Sequence, residues 1–317
     1  MTAATQARHW SQIGEATSVT GIWFLYGVHR ALGRWPFRLC LAPVVLYFWL
    51  RHGLARRASL EYLQRLQAST GALGRAPRLR DTFRHLFGFA DTMLDKLLAT
   101  AGRYPMEKVR FEGREAMHGQ LADGHGALIL TAHIGCLELC QVLARYHRDF
   151  RINALIHTAH AERYNRIIRR LDPESRITLI QVTEISPATT LMLAAKIAAG
   201  EFVAIAGDRV PVRGGRVARA PFLGHVAPFP VGPYVLASVL ECPVYTMSCT
   251  HADDGYTVRF APFAERIVLA RRERDAEFAR RATQFAGWLQ TRLAEAPYDW
   301  FNFFPFWDQA SNDVRHS

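Results

Sequence analysis

The chain has 317 residues, half of them hydrophobic, with 39 basic against 28 acidic side chains and a formal charge of +11. This length suits one large domain or two ordinary ones, and this composition excludes a disordered or fibrous chain. Five scattered cysteines (Cys40, Cys136, Cys140, Cys242, Cys249) form no CxxC and exclude a disulfide framework, which fits a reducing compartment.

The positive charge is uneven. Residues 1–60 carry Arg8, Arg30, Arg34, Arg38, Arg51, Arg56 and Arg57 against one acid, Glu15. Such a surplus attracts phosphate of any kind: nucleic acid, anionic lipid or an acidic partner. Residues 1–20 are polar and mixed, so no secretory signal is expected there. Two apolar stretches follow, GIWFLYGV at 21–28 and LCLAPVVLYFWL at 39–50, the second bounded by Arg38 and Arg51. Twelve apolar residues fall short of the roughly 20 that a spanning helix needs, and Pro43 opposes a straight span. Aromatic mass edged by arginine suits an element lying in a membrane interface at the cytoplasmic face. Two core helices of a soluble domain would carry the same pattern.

Residues 56–108 have helical periodicity in LEYLQRL and TFRHLFGFADTMLDKLLA, with a break marked by Gly71, Gly74 and Pro77. From residue 109 strands and helices alternate. VRFEG, ALILTA, RINALIH, EFVAIAG and CPVYTMSC are expected strands, and YTVRFAPF an edge strand paired across the DDG turn. SPATTLMLAAKIAAG is a helix with Ser186 as N-cap, Pro187 at its first position and Gly200 past its end. VGPYVLASVLE is another, and a long amphipathic helix closes the series through residue 296. The expected architecture is α/β: a mixed, largely parallel sheet flanked by helices, behind an N-terminal helical membrane-interface segment. The expected division is 1–108 as a helical membrane-associating region and 109–317 as the α/β domain.

Ligands of such sheets gather at the carboxyl ends of strands. His133 stands at one such end, in ALILTAHIGCLELC, and Asp208 and Arg209 stand at another, after EFVAIAG. If His133 lies in a turn before a helix, its ring can fold back and give its N–H to Glu138, with Gly135 easing the turn. A carboxylate behind an imidazole fixes its tautomer and stabilises the imidazolium formed when the ring takes a proton. A capping histidine beside a solvated glutamate would look the same, and the strand–turn–helix setting favours the dyad.

HIGCLE, within GHGALILTAHIGCLELCQVLA, is similar to the HxxxxE/D motif of membrane acyltransferases and resembles the lipid A late acyltransferases (lauroyl and myristoyl transferases), relatives of the glycerol-phosphate acyltransferases. The likeness extends to the arginine-edged front, GDRVPV at 207–212, PFLGHVAPFPVGP at 221–233 and YDWFNFFPFW at 298–307. It implies an acyltransferase in which His133 is the general base and Glu138 its partner, with an acyl carrier protein or acyl-CoA donor and a hydroxyl on a lipid or glycolipid acceptor. It implies substrate-binding roles for Asp208, Arg209, His157 and Asn165, and contact of Arg213, Arg216 and Arg219 with the acyl carrier or with phosphate. RAPFLGH is expected along the acyl chain. No metal or redox cofactor is expected, and the implied location is the cytoplasmic face of the inner membrane. An acceptor from another lipid or pigment pathway stays open. So does a non-catalytic, basic protein that binds membrane or nucleic acid, although the arginines border apolar stretches rather than interleaving with stacking aromatics, which argues against nucleic acid.

Three further signals bear on the site. Cys136 stands where many relatives are expected to carry Asn, and it offers a rival nucleophile, for which a small buried thiol is the plainer fate. His157, His160 and Glu162 cluster without a fourth ligand at metal spacing. The aromatic tail reads as core packing over the last helix, with a membrane-facing patch as the second reading.

Overall fold

The computed structural model describes residues 19–140, 150–156, 177–181, 186–210 and 215–308. Four helices come first: α1 (Val19–Leu32), α2 (Arg34–Arg51), α3 (Gly53–Thr70) and α4 (Leu79–Thr100). The strands are β1 (Val109–Glu112), β2 (Leu128–Thr131), β3 (Ile152–Ile156), β4 (Ile177–Gln181), β5 (Phe202–Ala206), β6 (Val217–Phe222), β7 (His225–Pro230), β8 (Val244–Ala252) and β9 (Gly255–Ala264). Among them lie helices α5 (Arg114–Ala122), α6 (Pro187–Ala198) and α7 (Gly232–Leu240), and α8 (Arg274–Glu295) follows the last strand.

Seven strands form one sheet in the order β1-β9-β8-β2-β5-β3-β4, and β6 and β7 form a separate hairpin. Among the described strands of the large sheet, β8 and β9 pair antiparallel and the other neighbours pair in parallel. The expected largely parallel, helix-flanked sheet is therefore present. One expectation is corrected: YTVRFAPF is an inner strand, because VRFEG pairs alongside it in parallel and takes the edge.

The sequence of β2 explains its central place. LILT is buried throughout, as a strand covered on both faces requires. Side chains alternate between the faces. Leu128 and Leu130 join a core with Tyr62, Leu63 and Leu66 of α3 and Phe285 and Leu289 of α8. Ile129 joins the other core, with Leu94 and Leu98 of α4 and Phe37, Leu41 and Val45 of α2.

Helix α2 continues through Pro43 and has two apolar faces. One holds the core residues Phe37, Leu41 and Val45; the other leaves Trp35, Leu39, Leu46 and Leu50 exposed, at four-, seven- and four-residue spacings. Among the described residues, no helix is long and apolar enough to cross a membrane. Helix α6 is capped as its sequence predicts, with the Ser186 hydroxyl accepting from the Thr189 N–H at 3.1 Å and Pro187 in the first turn. The aromatic tail is core: Trp300, Phe301, Phe304 and Phe306 are buried, and Phe222 of β6 packs edge-on against Trp300.

Candidate active site

The chain turns sharply on leaving β2. The Ile134 N–H returns to the Ala132 carbonyl at 2.8 Å, and Gly135 has φ +55. A Cβ at Gly135 would lie 1.8 Å from the Cys249 carbonyl oxygen, so only glycine fits both the conformation and the space. Backbone bonds clamp the turn on two sides. Gly135 N–H donates to the Asp299 carbonyl and Cys136 N–H to the Cys249 carbonyl, both at 2.9 Å. The His133 carbonyl accepts from Phe301 N–H at 3.0 Å, and Ile134 bridges to Trp300. His133 is thus held in a backbone cage made by the end of β8 and the aromatic tail.

Asp208 follows β5, the parallel neighbour of β2, and so arrives at the same sheet edge. Its carboxylate accepts from the His133 backbone N–H at 3.0 Å and the Trp300 indole N–H at 2.9 Å, and it lies 2.8 Å from the His133 ring Nδ1. Asp208 is only 2% exposed. Burial pushes its pKa up, but the His133 ring, Arg209 and the Trp300 indole outweigh burial and hold the pKa at about 2. An ionised carboxylate only accepts, so Nδ1 carries the proton. In the neutral ring Nε2 is then a bare base, and the His133 side chain is 38% exposed. Burial and the Arg209 cation lower the pKa of His133 more than Asp208 raises it, which keeps the ring neutral.

Arg209 donates to the Phe301 carbonyl at 3.2 Å and lies over the Phe304 ring. Glu138 takes a different course from the one expected. After Cys136 the chain enters a 3₁₀ turn, Leu137–Cys140, packed against α4. Both Glu138 oxygens accept from Lys96 Nζ of α4, at 2.9 and 2.8 Å. Expectation gave the imidazole N–H to Glu138; in the fold Asp208 receives it, because the tail clamp turns the ring toward β5 while the 3₁₀ turn carries Glu138 to α4.

The arrangement is a neutral imidazole backed by a buried carboxylate, able to take a proton from a substrate hydroxyl. The family model described as bacterial lipid A biosynthesis acyltransferase matches residues 84–309. The chain belongs to that family. No curated protein matches it significantly. It is therefore an acyltransferase of lipid A type, with an acyl donor and a lipid acceptor, and the matched span contains His133, Glu138, Asp208 and Trp300.

Of the other expected site residues of this acyltransferase, Arg216 and Arg219 are among the described residues. Arg216 pairs with Asp275 of α8 and lies over Phe278, and Arg219 is exposed on β6. His157, Asn165 and Arg213 lie outside the described residues, as do His160 and Glu162. In RAPFLGH, Ala220, Phe222 and Leu223 are buried in the core around Trp300. Cys136 is wholly buried, and burial together with the Glu138 charge pushes its thiol pKa well up, which disfavours a thiolate.

Sequence reasoning missed the supports of the acyltransferase's histidine. Trp300 orients Asp208, and the carbonyl of Trp300 lies 2.8 Å from Nε2 of buried His85. A carbonyl only accepts, so His85 donates from Nε2, and its Nδ1, at 2.9 Å, accepts the Ser59 hydroxyl. Asp299 and His251 form another pair. A lone acid and two indoles in YDWFNFFPFW were the only sequence signal for this arrangement.

Proposed function

We propose that this acyltransferase moves a fatty acyl group, or a related polyene acyl group, from a thioester on acyl carrier protein or coenzyme A to a hydroxyl of a lipid or glycolipid acceptor at the cytoplasmic face of the inner membrane. The observation that carries the reading is the His133 ring, with Nδ1 on buried Asp208 and Nε2 left as the base. Nε2 takes the proton of the acceptor hydroxyl as its oxygen attacks the thioester carbonyl. The resulting imidazolium is stabilised by Asp208 and returns the proton to the leaving thiol. The acyl group passes directly to the acceptor, so no acyl-enzyme is formed. Arg209 supplies positive charge for the oxyanion or for a phosphate on the acceptor. Glu138 is held by Lys96; Arg213, Arg216 and Arg219 are assigned as contacts for an acidic carrier or lipid phosphate, and His157 and Asn165 as residues that bind the acceptor.

Region 1–108 is the membrane-associating part of this proposal. The outer face of α2, with Trp35, Leu39, Leu46, Tyr47 and Leu50 exposed beside exposed Trp23 and Phe24 of α1, supports an interfacial seat. Mass spectrometry of lipids from cells with and without the protein tests the reaction. The proposal expects one lipid to lose a single acyl mass when the protein is absent, and unchanged lipids would refute it.

A further inference from the structure

Asp299 holds two parts of the molecule at once. Its backbone carbonyl accepts the Gly135 N–H of the His133 turn. Its carboxylate accepts the His251 backbone N–H at 2.6 Å and lies 2.8 Å from His251 Nδ1. This double contact of one carboxylate with the backbone N–H and Nδ1 of one histidine repeats the His133–Asp208 arrangement. The next residue, Trp300, donates its indole N–H to Asp208. Two consecutive residues of the tail therefore fix the turn and the acid that backs its histidine.

His251 lies on β8, the parallel neighbour of β2, two residues beyond the Cys249 carbonyl that holds Cys136. Its ring packs 4.2 Å from the Tyr256 ring of β9. The Tyr256 hydroxyl donates to Asp95 of α4, and Asp95 pairs with Arg34 of α2. Among the described residues, Asp299, Tyr256, Asp95 and Arg34 are thus the titratable and charged groups facing His251 from the packed elements. Burial lowers the pKa of His251, but the Asp299 bond and charge, with Asp95, raise it overall and strengthen the pair.

We infer that His251, acting through Asp299, is a positioning residue that fixes the His133 turn in its working geometry. The inference rests on the reading of His133 as the general base. A misplacement of about 1 Å in a catalytic group is worth about 10²-fold in rate, so a tie of this kind carries catalytic weight without touching substrate.

Three substitutions separate this role from its rivals. Asparagine places an amide N–H where histidine has Nδ1, whereas glutamine reaches toward the Nε2 position. His251→Asn keeps the side-chain bond to Asp299; His251→Ala and His251→Gln lose it and keep only the backbone N–H bond. One readout needs no substrate: carbethoxylation of His133 by diethyl pyrocarbonate, followed by peptide mass across pH. In the wild type the midpoint is expected below the ordinary 6.5. It is expected to rise toward 6.5 in the alanine and glutamine variants, as the loosened turn lets water reach more of the ring and draws it away from Arg209, and to stay in place in the asparagine variant. With dodecanoyl-acyl carrier protein and a lipid A precursor, the alanine variant is expected to lose about 10–100-fold in kcat with KM unchanged. An unmoved midpoint in all three variants overturns the inference, as does an asparagine variant no better than alanine. A glutamine variant that alone behaves as wild type also overturns it, since that would assign the work to Nε2. Wild-type transfer by His133→Ala would instead remove the base reading, whatever the His251 variants do.

Discussion

Asp208 grips His133 twice, by the backbone N–H at 3.0 Å and by ring Nδ1 at 2.8 Å. The first contact places the residue and the second fixes its tautomer. Because Trp300 donates to the same carboxylate at 2.9 Å, Asp208 is saturated with donors and has one stable orientation.

This saturation makes Asp208→Asn informative. An amide oxygen can still accept from the His133 backbone N–H and the Trp300 indole, but the NH₂ then faces Nδ1, so the ring must accept there and carry its proton on Nε2, where it is no longer a base. We expect the fold to be kept, since each donor still meets an acceptor and only the charge assistance of these bonds is lost. Transfer should fall about 10²–10⁴-fold as the ring loses its ionised partner. Glu138→Gln should cost less, since the imidazole keeps its carboxylate. Rates for the two purified variants decide the matter: a larger loss at Glu138 would give the imidazole back to Glu138.

The pH dependence has a definite sign. His133 works as the neutral base, so protonation stops it, and its pKa is lowered from 6.5 by burial and by Arg209. The rate should be flat above pH 6.5 and fall on the acid side through a midpoint below that value. A profile of kcat/KM measures it in the free enzyme. A midpoint above 6.5 would mean that the ring is not held as described.

Cys136→Ala should keep transfer within about threefold of wild type, because a wholly buried thiol with a raised pKa supplies little thiolate. The alanine leaves a small void, so thermal melting should be recorded alongside the rate. Abolished transfer in a folded variant would install Cys136 as an acyl-carrying nucleophile.

Membrane seating is best tested on the surface. Phe37, Leu41 and Val45 belong to the core, so deleting the front helices would unfold more than it released. Replacing exposed Phe24, Trp35 and Tyr47 with serine leaves that core intact. Flotation with vesicles containing anionic lipid should show most of the triple variant left in solution while its melting point is kept. Undiminished flotation would remove α1 and α2 from the interface.

Much of the architecture was legible because its signals are local. Ser186 and Pro187 announce a helix start, and the buried run ALILTA announces a covered strand. The turn at His133 was legible for the same reason, through Gly135. The acid behind His133 was not. Asp208 lies 75 residues away in sequence, and only the pairing of β2 with β5 brings it to the ring. Glu138, five residues on, was the nearer choice, yet Lys96 of α4 takes it, a contact that local spacing does not encode. The inner place of β9 was missed because parallel pairing with β1 leaves no turn between the partners.

The central claim, that His133 is the general base, meets its most direct test in the transfer rate of purified His133→Ala with dodecanoyl-acyl carrier protein and a lipid A precursor. The variant is expected to fold, to bind the same vesicles and to transfer about 10²–10⁴-fold more slowly than wild type. Transfer at the wild-type rate would contradict it.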